Sequence, residues 1–311
     1  MNRPWILVSN DDGIEAQGLL TLVSYIQRRG WGVIVYAPAS ECSATSMHLS
    51  LHKNLLCHKR TDLISRLTLD PAGPTPILYS IDGMPSDCLI LAIDGLIEAH
   101  DDPMPRLCVS GINRGPNMSV DILHSGTVAA ARESALYGLP SIATSLTTFD
   151  DVPFDSSARA TISLMEKVLD WLPETPVALG RPEASRIYRT GEEMQQGFEF
   201  SLTDLRTAFS HGDIYLNLNT PPQWSGEWST TRLGARWYHG ASHYDEETGI
   251  CKIGAIDISD DPIPDGEAVA IHSGFASISP LASWPQTHPL NVGDSMLKFA
   301  RKSTDGFPFW L

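Results

Sequence analysis

The sequence predicts an α/β fold: a Rossmann-like, mostly parallel sheet with helices on both faces, joined to a smaller β-rich C-terminal part with a long protruding hairpin. Three observations support this. Strand-like and helix-like patterns alternate through the first half at the spacing of βαβ units. The strands among them are near-continuous apolar runs, as expected where both faces of a parallel sheet are covered. In the last third, two strand-like runs flank the acidic turn Asp245-Glu246-Glu247-Thr248, the pattern of a hairpin.

The first strand covers residues 5–9. A helix over 16–29 follows, with Leu19, Leu20, Val23 and Ile26 on one face and Gly30 closing it. Residues 33–37 form a second strand, 87–99 a helix after Gly83-Met84-Pro85, and 107–110 a third strand. Residues 111–117 read as a loop rich in glycine and asparagine. Ser125-Gly126-Thr127 opens a helix over 128–137 that stops at Gly138 with Pro140 beyond. A strand over 141–145 and a helix over 158–172 complete the first half. The pattern weakens over 173–212, which reads as an insertion ending in a short helix over 202–209. Strands are expected at 214–219, at 232–239 and 249–258 as the hairpin, and at 275–279. These elements divide the chain into a Rossmann-like core, 1–231, and a hairpin with a C-terminal arm, 232–311.

Of 311 residues, 42% are hydrophobic and 19% charged, an ordinary globular composition. The net charge of -15 argues against a nucleic-acid polymer as partner and leaves phosphate chemistry dependent on local cations. No apolar run approaches the roughly 20 residues of a membrane span, and the start is too short for a signal peptide, so a cytoplasmic protein is expected. Five cysteines (Cys42, Cys57, Cys88, Cys108, Cys251) without CxxC spacing fit reduced thiols. The pairs His48/His52 and His239/His243 have helical ligand spacing in non-helical surroundings, which argues against zinc.

Asp11-Asp12-Gly13 ends the first strand. Two like charges about 4 Å apart repel by roughly 4 kcal/mol at an effective dielectric near 20, so a proton or a cation is needed if the two side chains converge. A solvated Asp-Asp-Gly turn is the plainer alternative, and position alone leaves both open. Ligands of open α/β sheets bind beyond the carboxyl ends of the strands. Three segments fall there: Asp11-Asp12-Gly13, the 37–43 loop with Ser40 and Ser43, and Ser110-Gly111-Ile112-Asn113. Carboxylates, a hydroxyl and an amide oxygen make an all-oxygen set suited to Mg²⁺, Mn²⁺ or Ca²⁺. The helix start at Ser125-Gly126-Thr127 offers free N–H groups to an anion, or else one of its hydroxyls is an N-cap. Nucleophile-elbow, Walker and dinucleotide signatures are absent from the sequence.

These residues resemble a known family. Ile6-Leu7-Val8-Ser9-Asn10-Asp11-Asp12-Gly13, Ala37-Pro38 with Ser43 five residues on, Val109-Ser110-Gly111-Ile112-Asn113-Arg114-Gly115-Pro116-Asn117 and Ser125-Gly126-Thr127-Val128-Ala129-Ala130-Ala131 are similar to the SurE proteins. These are metal-dependent 5′-nucleotidases. The resemblance implies one divalent cation per subunit, Mg²⁺ or Mn²⁺ with Ca²⁺ as a crystal substitute, held by Asp11, Asp12, Ser43 and Asn113. It implies Asp11, Asp12 and Asn113 as catalytic residues, and Asn117, Ser125, Gly126 and Thr127 around the phosphate. The substrates implied are nucleoside 5′-monophosphates, with 3′-monophosphates and short polyphosphate beside them, and the assembly a homodimer or tetramer. Two departures stand out: the long 173–212 segment, and His124 where the family often has tyrosine. The alternatives are a non-catalytic metal- or nucleotide-binding regulator and a phosphatase with an aspartate nucleophile; the DxDx[TV] spacing of the latter is missing.

Overall fold

The computed structural model describes residues 3–180, 201–254, 257–284 and 306–308. Its centre is a nine-stranded sheet. The strands are β1 (Trp5–Ser9), β2 (Gly32–Pro38), β3 (Cys57–Lys59), β4 (Ile77–Ile81), β5 (Leu107–Arg114), β6 (Ser141–Leu146), β7 (Ile214–Thr220), β8 (Trp228–Thr230) and β13 (Ala276–Ala282). Their order is β3-β4-β2-β1-β5-β6-β7-β13-β8. The run from β4 to β7 is parallel throughout, whereas β3 and β13 join antiparallel. The mostly parallel α/β class is therefore as expected.

Strand β1 shows why its sequence is apolar without interruption. Alternate residues of a strand face opposite sides: Ile6 and Val8 enter the cluster packed under α1 (Gln17–Arg28) and α5 (Asp155–Leu169), while Leu7 enters the cluster on the other face. There α2 (Pro85–Leu91) and α4 (Gly126–Leu136) lie side by side. Burying one such side chain from both directions contributes about 1.5–3 kcal/mol. The helix expected over 87–99 is interrupted: α2 passes through a π-helical turn, Ala92–Leu96, into the short α3 (Ile97–Ala99).

Three further differences from the sequence reading have physical reasons. The stretch read as a loop after residue 110 continues β5 to Arg114, because a register shift between Ser110 and Asn113 lets the chain keep pairing with β6. Strand β4 was not expected; its five residues follow Pro71, Pro74 and Pro76, which mask the period. The C-terminal strand β13 and the short β8 extend the central sheet itself.

The hairpin is present but its pairing is split. Strand β9 (Ala235–His239) pairs with β12 (Asp257–Asp261), and β10 (Ser242–Asp245) with β11 (Ile250–Ile253) around the acidic turn. The second arm thus begins pairing at the tip and ends further along than 258. Residues 181–200 of the expected insertion lie outside the described residues; α6 (Leu202–Ser210) is described, and buries Leu205, Ala208 and Phe209 in the main core. The last helix among the described residues, α7 (Glu267–His272), leads into β13. Among the described residues, no helix is long and apolar enough to cross a membrane.

Candidate active site

The carboxyl ends of β1, β2 and β5 and the start of α4 meet in one crevice. After β1 the chain turns through Gly13 at φ +93°, where a Cβ would also sit 3.0 Å from the Ser40 carbonyl carbon, so glycine is required twice over. Asn10 donates to the Gly13 carbonyl at 2.9 Å, and Ile14 N–H to the Pro38 carbonyl at 2.8 Å. Cys42 N–H donates to the Asp11 carbonyl at 2.7 Å. The loops after β1 and β2 are thereby stitched together at Cys42, and Ser43, the next residue, is exposed in the second loop.

Asp11 is buried. Thr127 Oγ1 donates to one of its carboxylate oxygens and lies 3.3 Å from Asn113 Oδ1, so one hydroxyl sits between these two oxygens. Burial raises the Asp11 pKa above the usual carboxylate range, opposed by the Thr127 hydroxyl and the N–H groups at the α4 start. Asp12, half-buried, is pushed up to about 7 by burial first and by the Asp11 charge second. Asp11 is buried and Asp12 half-buried, so the pair is not a fully solvated turn. Among the described residues neither carboxylate has a salt-bridge partner.

The start of α4 touches Asp11 directly. A Cβ on Gly126 would fall 2.6 Å from Asp11 Cβ and 2.9 Å from its Oδ2. Ser125 is the N-cap, its hydroxyl oxygen accepting from Val128 N–H at 3.1 Å. Of the two readings of the helix start, the structure contains the N-cap at Ser125, which uses the hydroxyl oxygen and not its proton. Thr127 gives its hydroxyl proton to Asp11. Ala129, Ala130 and Ala131 are buried core residues.

Asn113 donates its Nδ2 to the Gly115 carbonyl at 2.9 Å, which fixes the amide so that Oδ1 turns toward Thr127 and Asp11. Asn117 is anchored by residues the sequence reading missed. Its N–H donates to Asn219 Oδ1 at 3.0 Å, its carbonyl accepts from Asn217 and Asn219, and its Nδ2 donates to Ser145 Oγ. The signal was present: Asn217 and Asn219 alternate in an otherwise apolar strand, and so share one face.

The site fits a hard divalent cation. Two crowded carboxylates whose burial favours neutralisation, an amide oxygen aimed at them and a neighbouring hydroxyl form an oxygen-only set. Asn10 Oδ1, Ser9 Oγ and Ser110 Oγ are buried beside it without a hydrogen-bond partner, further oxygens at the same strand ends. Among the described residues no three His, Cys, Asp or Glu side chains converge as a metal centre of any kind, so a cation here would take its ligands beyond the two carboxylates from amide, hydroxyl or water oxygens.

Comparison with known proteins follows the same lines. The family described as "Survival protein SurE" matches residues 6–240. The chain is similar to proteins named 5′-nucleotidase SurE from Caldanaerobacter subterraneus subsp. tengcongensis, 39% identical over 170 residues, and from Crocosphaera subtropica, 41% identical over 165. Those matches cover 55% and 53% of this chain and 61% and 55% of the relatives, so the chain spans little more than half the length of the relatives it matches. A crystal structure of the Sure protein from Aquifex aeolicus superposes with a TM-score of 0.60 at 24% identity over 92% of this chain and 95% of that one, a likeness of fold. With three quarters of its length inside the family match, this chain belongs to the SurE family.

Proposed function

We propose that this chain is a metal-dependent phosphomonoesterase that hydrolyses nucleoside 5′-monophosphates to nucleoside and phosphate, with 3′-monophosphates and short polyphosphate as further substrates. The observation that carries the reading is the contact between Asp11 and the α4 start: a carboxylate pair suited to a cation lies against a helix N-terminus whose Gly126 and Thr127 N–H groups face Asp11 and favour negative charge there. A phosphate monoester bridging the two satisfies both. The relatives named 5′-nucleotidase support the substrate class.

In this reading Asp11, Asp12, Ser43 and Asn113 hold one Mg²⁺ or Mn²⁺ per subunit. The cation supplies charge neutralisation at a phosphate oxygen and acidifies a bound water. The Ser125 hydroxyl and the α4 start at Gly126 and Thr127 hold the phosphate. Asn117 presents the second N–H of its Nδ2, the first being given to Ser145, from a fixed backbone. Asp12, the more open carboxylate, takes the proton of the attacking water, because Thr127 and α4 close off Asp11. As water oxygen bonds to phosphorus, the ester P–O bond breaks and the nucleoside oxygen regains a proton.

Five free cysteines support a reducing, cytoplasmic setting. The hairpin exposes Trp237, Tyr244, Ile250 and Ile253, the last 95% open to solvent, which supports a homodimer or tetramer formed through this arm.

Phosphate release from AMP, GMP and p-nitrophenyl phosphate with Mg²⁺ or Mn²⁺, with acid quenching to trap phosphoprotein, tests the reading. Metal-dependent release from the nucleotides without trapped phosphoprotein is expected. No release at any metal concentration would establish the non-catalytic reading instead, and a trapped aspartyl-phosphate an aspartate nucleophile.

A further inference from the structure

Between Asn117 and Ser125 the chain makes a 3₁₀ turn, Ser119–Leu123, that is gripped from its far side by the root of the hairpin. Asp121 is central to that grip. Its backbone carbonyl accepts from Ser125 N–H at 2.9 Å and from His124 N–H at 3.0 Å, so the N-cap of α4 hangs from it. Its buried carboxylate accepts from Arg236 Nη1 at 3.0 Å and from the Tyr238 hydroxyl. Arg236, buried on β9, also makes a two-pronged pair with Asp260 on β12, Nε to Oδ1 at 2.8 Å and Nη2 to Oδ2 at 2.9 Å.

A second grip comes from α7. Glu267 is fully buried, and its Oε2 accepts from Ser119 N–H at 2.9 Å and Gly234 N–H at 3.2 Å. Ser279 donates to its other oxygen at 3.3 Å. Ser119, held at φ +54° where a side chain is disfavoured, donates from Oγ to the Gly234 carbonyl and accepts from Arg236 N–H, both at 2.9 Å.

Buried ion pairs add little net stability over apolar packing of the same volume, because desolvation offsets the attraction. Directional bonds do fix position, and those from Arg236, Tyr238 and Glu267 to Asp121 and Ser119 converge on one turn. We propose that Asp121, Arg236 and Glu267 are positioning residues for phosphate: through the Ser119–Leu123 turn they set where Ser125 stands, so that the hairpin root governs substrate affinity. This rests on the phosphomonoesterase reading. None of the three touches the carboxylates proposed to hold the cation, so metal affinity is left to Asp11, Asp12, Ser43 and Asn113, and the chemical step to Asp11, Asp12 and Asn113.

The test compares Arg236→Met, Glu267→Ala, Glu267→Gln and Tyr238→Phe with wild type, reading KM and kcat for AMP, half-activation by Mn²⁺, and affinity for inorganic phosphate in Mn²⁺. Arg236→Met and Glu267→Ala are expected to raise KM and weaken phosphate binding by about 10-fold, with kcat within about twofold. The Mn²⁺ half-activation should stay at the wild-type value. Glu267→Gln keeps an acceptor for both N–H groups and should restore affinity. Tyr238→Phe, which removes one partly exposed hydroxyl and should fold, is expected to raise KM by about threefold. Folded variants with wild-type KM and phosphate affinity would overturn the proposal, as would losses confined to kcat or to Mn²⁺ activation. If wild type binds phosphate without turnover, the enzymatic reading fails while the affinity series still decides this one. Absence of both turnover and phosphate binding in wild type overturns the two together.

Discussion

Asp11 has neighbours on three sides: Thr127 at one carboxylate oxygen, Gly126 against its Cβ, and the Cys42 amide on its carbonyl. Gly126→Ala should therefore displace either the carboxylate or the helix start. A displacement near 1 Å at a reacting centre costs about 100-fold in rate, so kcat/KM is expected to fall by about that factor while the thermal midpoint moves little. An unchanged kcat/KM would mean that the contact is not part of the site. That Asp11 and Asn113 stand at neighbouring strand ends was legible in the sequence, because each closes an apolar run. The use of each hydroxyl was not: whether Thr127 serves a phosphate or Asp11 depends on a through-space contact between residues 116 apart in sequence.

Helix α4 shows the same limit at the level of an element. Its start and stop were readable from Ser125, Gly138 and Pro140, but its burial on nearly all sides was not, because small residues carry no strong period. That burial encloses Glu133 and pushes its carboxyl up to about 7. A folded-state pKa above the unfolded value of 4.5 means that the native state holds the extra proton. Stability is then greatest below about pH 4.5 and declines as pH rises toward 7. Glu133→Gln removes the titration, so relative to wild type it should gain roughly 2–3 kcal/mol between pH 4.5 and pH 8, by the value of about 1.4 kcal/mol per pKa unit. Denaturant melts at the two pH values check this, and a pH-independent difference would contradict it. Strand β5 illustrates the converse: glycine and asparagine marked a loop, yet the register shift between Ser110 and Asn113 keeps the segment in the sheet and turns Asn113 toward Asp11.

For the whole molecule, alternation of strands and helices was enough to place the parallel core, since each βαβ unit carries its own signal. The edges were less legible. Short strands such as β8 and the pairing offset within the hairpin depend on partners distant in sequence, and propensity does not encode them. The protruding arm leaves Tyr244 and Ile253 exposed on neighbouring strands β10 and β11. If this arm joins subunits, Tyr244→Lys with Ile253→Lys should lower the mass found by light scattering to that of a smaller assembly. An unaltered mass would assign the contact elsewhere.

The central claim, that the crevice holds a divalent cation on which turnover depends, is tested most directly by titrating Mn²⁺ into metal-stripped wild type and Asp12→Asn while measuring phosphate release from AMP and GMP. Saturable activation is predicted for wild type, with Asp12→Asn folded, weakly binding and reduced by at least about 100-fold. Release that ignores Mn²⁺, or an Asp12→Asn protein with wild-type activity, would contradict the account.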